Sequence, residues 1–121
     1  MELENALIGN PSVAESAVVG VPDEVKGELP FAVVVLKPGV TPSAELEADL
    51  RRRVRDAIGG MAEPESIRFV RQLPKTRSGK IMRRVVAALV RGGEVGDIST
   101  LEDDATVEEI RIAASTFREE L

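Results

Sequence analysis

The stretch Leu73-Pro-Lys-Thr-Arg-Ser-Gly-Lys-Ile-Met-Arg-Arg84 joins one proline, one glycine and five cationic side chains, and it holds no acidic residue. Pro74 fixes its own φ and removes a backbone donor, so the run opens as a turn or an extended segment. Gly79 accepts positive φ without steric cost, so Ser78-Gly79 can bend the chain sharply. Lys80 is then expected at the tip of a tight, flexible, cationic loop. Met82, Val85, Val86, Leu89 and Val90 recur at helical spacing, which predicts a helix over residues 82–91 stopped by Gly92-Gly93. A cation on a loop backed by a helix suits phosphate or carboxylate charge. The stretch is not a P-loop, because Pro74 stands where that motif needs its first glycine and Ile81 where it needs a hydroxyl.

Upstream of this stretch, Ser66-Ile-Arg-Phe-Val70 alternates, with Ile67 and Phe69 on one side and Arg68 on the other, and reads as a short strand. Thr41-Pro42-Ser43 reads as a helix start, and Leu46, Leu50, Val54, Ala57 and Ile58 keep one face until Gly59-Gly60. Phe31-Ala-Val-Val-Val-Leu36 is continuously apolar, as expected of a central strand covered on both faces. Val13–Val21 reads as its neighbour, and the short link between the two, with a loop at 25–28, predicts an antiparallel pair. Residues 2–9 predict a first helix with Leu3, Ala6 and Leu7 on one face, ended by Asn10-Pro11. After a polar run at 99–104, Thr106 and Glu109 fit a capping box. It precedes a last helix to about Phe117, with Ile110, Ala113, Ala114 and Phe117 as its docking face. The expected fold is α+β: about three short strands, mostly antiparallel, flanked by three or four helices.

At 121 residues and 43% hydrophobic content the chain supports one domain with a core of Val, Leu, Ile and Ala, since Phe occurs three times and Trp and Tyr not at all. It contains no Cys and no His, which excludes disulfides, thiolate or imidazole metal sites and His-based acid–base chemistry. No apolar run approaches the ~20 residues of a membrane span, so no membrane partner and a cytoplasmic location are expected. The net charge of −5 is uneven: residues 92–121 carry nine acidic and two basic side chains, while residues 68–84 carry seven basic and none acidic. Such a patch on an acidic protein favours a small anionic ligand over nucleic acid, and the missing Tyr and Trp remove the best base-stacking platforms.

Pro74-Lys-Thr-Arg-Ser-Gly-Lys80 resembles the C-terminal lysine motif of adenylate-forming acyl-CoA synthetases, and Ile81-Met-Arg-Arg84 extends the likeness toward the acetyl-CoA synthetase branch (AMP-forming). The resemblance implies the small C-terminal domain of such a ligase, which rotates against a large N-terminal domain between adenylation and thioester formation. It makes Lys80 the catalytic lysine of adenylation, with Pro74, Arg77, Ser78 and Gly79 supporting its loop. It makes Arg55, in Val54-Arg-Asp-Ala-Ile-Gly59, the contact to the 3′-phosphate of CoA. It also makes Lys80 a target of protein lysine acetyltransferases and sirtuin-type deacetylases. The implied cofactors are ATP, Mg2+ and CoA in the full-length enzyme, with none held tightly by the domain alone and no resident metal.

The hinge residue and Gly-containing hairpin that the family carries before the first helix have no counterpart here. The expectation is therefore an excised single domain over 1–121, inactive alone, with an acidic extension over 94–121 and the N-terminal ATP- and acyl-binding domain as its partner. The alternatives are a stand-alone binding or interaction module of the same fold without catalysis, and a nucleic-acid-binding domain using residues 68–84.

Overall fold

The computed structural model describes residues 2–23, 27–59, 64, 66–93, 96 and 105–120. Within them the elements run α1 (Glu2–Ile8), β1 (Val13–Asp23), β2 (Gly27–Leu36), α2 (Ala44–Ala57), β3 (Ser66–Val70), α3 (Arg83–Arg91) and α4 (Ala105–Glu120). Residues 25 and 26 of the expected loop at 25–28, the glycine at 60 and the polar run at 99–104 lie outside the described residues, as do the side chains of Ala114 and Phe117, while Gly27 and Glu28 of that loop belong to β2 instead.

The α+β class holds, and the sheet is mixed. Its order is β1-β2-β3, with β1 antiparallel and β3 parallel to the central β2. The parallel pairing corrects the expectation of a mostly antiparallel sheet. Its cause is α2, which carries the chain from the end of β2 back to the start of β3, the crossover that parallel strands require.

Helices cover both faces of the sheet, which explains the unbroken apolar run of β2. Phe31, Val33 and Val35 share a core with Val85, Val86, Leu89 and Val90 of α3 and with Val107 and Ile110 of α4. Ala32 and Val34 pack on the other side with Leu7 of α1 and Leu50 and Val54 of α2. β3 alternates as expected: Ile67 and Phe69 join the α1/α2 core, and Val70 the α3/α4 core. Fully buried aliphatic side chains such as Leu50 and Val54 each contribute about 1.5–3 kcal/mol.

Local signals explain the ends. Ser43, rather than Thr41, caps α2: its Oγ accepts the N–H of Leu46 at 3.1 Å. At the far end Ala57 and Ile58 are exposed, so the apolar face of α2 stops at Val54. α3 ends in a left-handed Gly92, φ 79°. α4 starts at Ala105, one residue before Thr106 of the expected capping box, and the Glu109 carboxylate accepts the Arg71 N–H at 3.0 Å.

A bulge interrupts the register of β1 against β2 between Val13 and Glu15. One extra residue reverses which face later side chains meet. Val13 accordingly packs with α1 and α2, while Ala17, Val19 and Val21 pack with α3 and α4.

Candidate functional site: the lysine hairpin

Residues 74–82 form a small hairpin rather than an open loop. Lys75 and Ile81 pair as an antiparallel bridge, and the Met82 N–H donates to the Pro74 carbonyl at 2.8 Å. Inside this frame the Thr76 N–H donates to the Lys80 carbonyl at 2.9 Å, and the Gly79 N–H donates to the Thr76 carbonyl at 2.9 Å. Arg77 and Ser78 therefore occupy the corners of the turn. Gly79 follows with φ 89°, a conformation that favours glycine. Lys80 is not at the tip, as its sequence position suggests, but on the returning arm directly after the turn.

The expected flexibility is also tempered by side chains. The Thr76 and Ser78 hydroxyls are hydrogen-bonded at 2.9 Å, and Thr76 Oγ1 accepts the Lys80 N–H at 3.2 Å. Thr76 thus braces the hairpin through its hydroxyl, a role that its position in the motif does not announce. Pro74 is buried and anchors the base, whereas Arg77, Ser78, Gly79 and Lys80 are exposed.

The seven cations of residues 68–84 do not form a uniform patch. Lys75 Nζ meets Glu15 Oε2 at 2.5 Å, Arg71 Nε meets Glu109 Oε2 at 3.4 Å, and Arg83 is paired with Glu4. Arg68 and Arg84 are engaged as well. Among the described residues, Arg77 and Lys80 are the members of this run whose side chains have no ion-pair partner. The three carboxylates come from α1, β1 and α4, distant in sequence, and nothing in local pattern distinguishes them from solvated acids.

Glu4 is the most buried of these acids. Its Oε2 accepts the Val18 N–H at 2.8 Å and Arg83 Nε at 2.9 Å, and Oε1 accepts from Arg83 Nη2. Burial pushes its pKa up, but the bonds from Arg83 and Val18 outweigh this and hold the carboxyl below its ordinary value. The same pairing raises the pKa of Arg83. Because β1 is an edge strand, Glu4 also satisfies a donor that would otherwise be left bare. Arg91 at the other end of α3 donates to the Gly20 carbonyl at 2.9 Å, so both ends of the helix behind the hairpin are tied to one strand edge.

Arg55 lies exposed in the last turn of α2. It belongs to the helix layer opposite the one that carries the hairpin and α3. The structure thus does not bring Arg55 and Lys80 together; the sheet stands between their layers.

Comparison with known proteins agrees with this arrangement. Residues 2–80 match the family described as AMP-binding enzyme C-terminal domain, a match that ends on Lys80. The chain is 58% identical over 120 residues to the acetyl-coenzyme A synthetase of Pyrobaculum aerophilum, covering 99% of this chain and 18% of that protein. It is 51% identical, with the same coverage, to the 3-hydroxypropionyl-coenzyme A synthetase of Metallosphaera sedula. The chain thus spans less than a fifth of the length of these curated relatives. Among solved structures, an acyl-CoA synthetase of Brucella canis superposes with a TM-score of 0.67 at 43% identity, covering 71% of this chain and 16% of that one. The acetoacetyl-CoA synthetase of Streptomyces lividans gives 0.73 over 98% of this chain and 18% of its own, at 20% identity, a likeness of fold alone. With this match, the mixed three-stranded sheet and the lysine hairpin, the chain belongs to the AMP-binding enzyme C-terminal domain family.

Proposed function

We propose that this domain serves as the C-terminal catalytic lid of an AMP-forming acyl-CoA synthetase acting on a short carboxylate, acetate first, with residues 94–121 as an acidic extension. The observation that carries this reading is the sorting of charge on the hairpin. Lys75, Arg71 and Arg83 are neutralised by carboxylates of the domain, while Lys80 and Arg77 are left to meet an outside anion. When a carboxylate attacks the α-phosphate of ATP, negative charge accumulates at the reacting centre. A preorganised ammonium aimed there stabilises the transition state more than the ground state. Lys80 fits that role: the hairpin fixes its backbone while its side chain stays uncommitted.

Thioester formation needs a different surface. Arg55 suits the 3′-phosphate of CoA, since a guanidinium binds phosphate oxygens through two parallel bonds. Its position across the sheet from Lys80 fits a domain that turns against an N-terminal domain between the two steps. ATP, Mg2+ and CoA would be gathered by the full-length enzyme. This chain would contribute Lys80 and Arg55, and it would be inactive by itself. The same reading makes the exposed Lys80 a site of regulatory acetylation in the cytoplasm, reversed by a sirtuin-type deacetylase, because acetylation removes the charge on which adenylation depends.

Lys80→Ala in the full-length enzyme tests the proposal. Adenylation, followed by pyrophosphate exchange, should fall at least ~10²–10³-fold, as for one preorganised electrostatic donor. Thioester formation from pre-made acyl-adenylate should stay near the wild-type rate. Equal slowing of both steps would make Lys80 structural and remove the lid reading.

A further inference from the structure

We propose that Glu15 is a positioning residue for Lys80, acting through Lys75; this rests on the function proposed for the domain. Two observations converge on it. The bulge in β1 lies between Val13 and Glu15 and returns the following side chains to the α3/α4 face of the sheet. That is the face on which the hairpin base, Leu73, is buried. Glu15 there meets Lys75 Nζ at 2.5 Å, with both side chains less than a third exposed. Lys75 in turn pairs through its backbone with Ile81, the residue after Lys80. The ion pair therefore fixes the outgoing arm of the hairpin to the sheet, and the bridge passes that constraint to the returning arm. Bulges re-aim single side chains beside functional sites, and a displacement of about 1 Å at a reacting group can cost 10²-fold in rate. Without the bulge, Glu15 would face the α1/α2 side and Lys75 would be one more free cation beside Lys80.

The experiment compares Glu15→Gln, Lys75→Met and the double variant in the full-length enzyme, with Lys80→Ala alongside. Each single variant is expected to lower adenylation about tenfold, and the double variant no further, since contacting residues couple non-additively. Thioester formation from pre-made acyl-adenylate should be unchanged in all three, which a merely destabilised domain would not give. Amide exchange at Gly79 and Met82, the donors that close the hairpin, should accelerate in Glu15→Gln. Adenylation at the wild-type rate, additive losses, or unchanged exchange at these two amides would each overturn the inference. If Lys80→Ala leaves adenylation intact, the lid function fails, and the positioning role with it. If Lys80→Ala is defective and Glu15→Gln is not, the positioning role alone fails.

Discussion

Replacing Glu4 with alanine should destabilise the domain more than any other single carboxylate change among the described residues, and the structure gives the size. The Glu4 side chain is 4% exposed and receives three N–H bonds, one from Val18 and two from Arg83. Truncation leaves the buried Val18 N–H without an acceptor, which costs about 1–3 kcal/mol. Arg83 is 47% exposed, so water takes over its bonds and its loss adds only about 0–1 kcal/mol. The expected total is about 1–4 kcal/mol, or about 4–16 °C in Tm for a chain of this size. Glu4→Gln keeps a neutral acceptor for Val18 and should lose about half as much.

The pH dependence separates charge from packing. The folded-state pKa of Glu4 lies below its ordinary value of 4.5, so the stability it supplies is complete above about 4.5 and is lost as pH falls through the folded pKa. The gap between wild type and Glu4→Gln should therefore be widest near neutrality and close in acid. Thermal unfolding by circular dichroism between pH 3.5 and 7.5 measures both effects. A Tm loss under about 2 °C for Glu4→Ala, or a gap that widens in acid, would refute the reasoning.

Arg55→Ala should leave pyrophosphate exchange intact and weaken the apparent affinity for CoA, with dephospho-CoA affected less by the change; equal weakening for both would remove the phosphate contact. Incubation of the domain with a protein lysine acetyltransferase should modify Lys80, and Lys80→Arg should abolish the signal; mass spectrometry locating acetate on another lysine with equal yield would refute the assignment. Ile110, 1% exposed against α3, should cost about 2–5 kcal/mol when cut to alanine, measured by urea unfolding. A neutral result would mean that α4 is not part of the folded unit.

Much of the architecture is local and therefore legible in the chain. Helical spacing marks α2 and α3, unbroken hydrophobicity marks β2 as central, and alternation in Ser66–Val70 gives the two faces of β3. Each of these follows from a side-chain period of 3.6 or 2 within one element. The lysine motif is legible for the same reason, because one short run holds its proline, glycine and cations. Features that lie beyond the sequence need partners from elsewhere in the chain. The parallel pairing of β3 depends on where α2 deposits the chain, not on any residue of β3. The bulge at Glu15 depends on the register with β2, and by shifting one residue it decides which face meets the hairpin. The pairing of Arg71, Lys75 and Arg83 depends on Glu109, Glu15 and Glu4, acids up to 79 residues away whose roles have no local mark. Sequence supplied the charges; only the packed structure, which pairs three of them with carboxylates of distant elements and engages Arg68 and Arg84 as well, determined that Arg77 and Lys80 stand without an ion pair among the described residues.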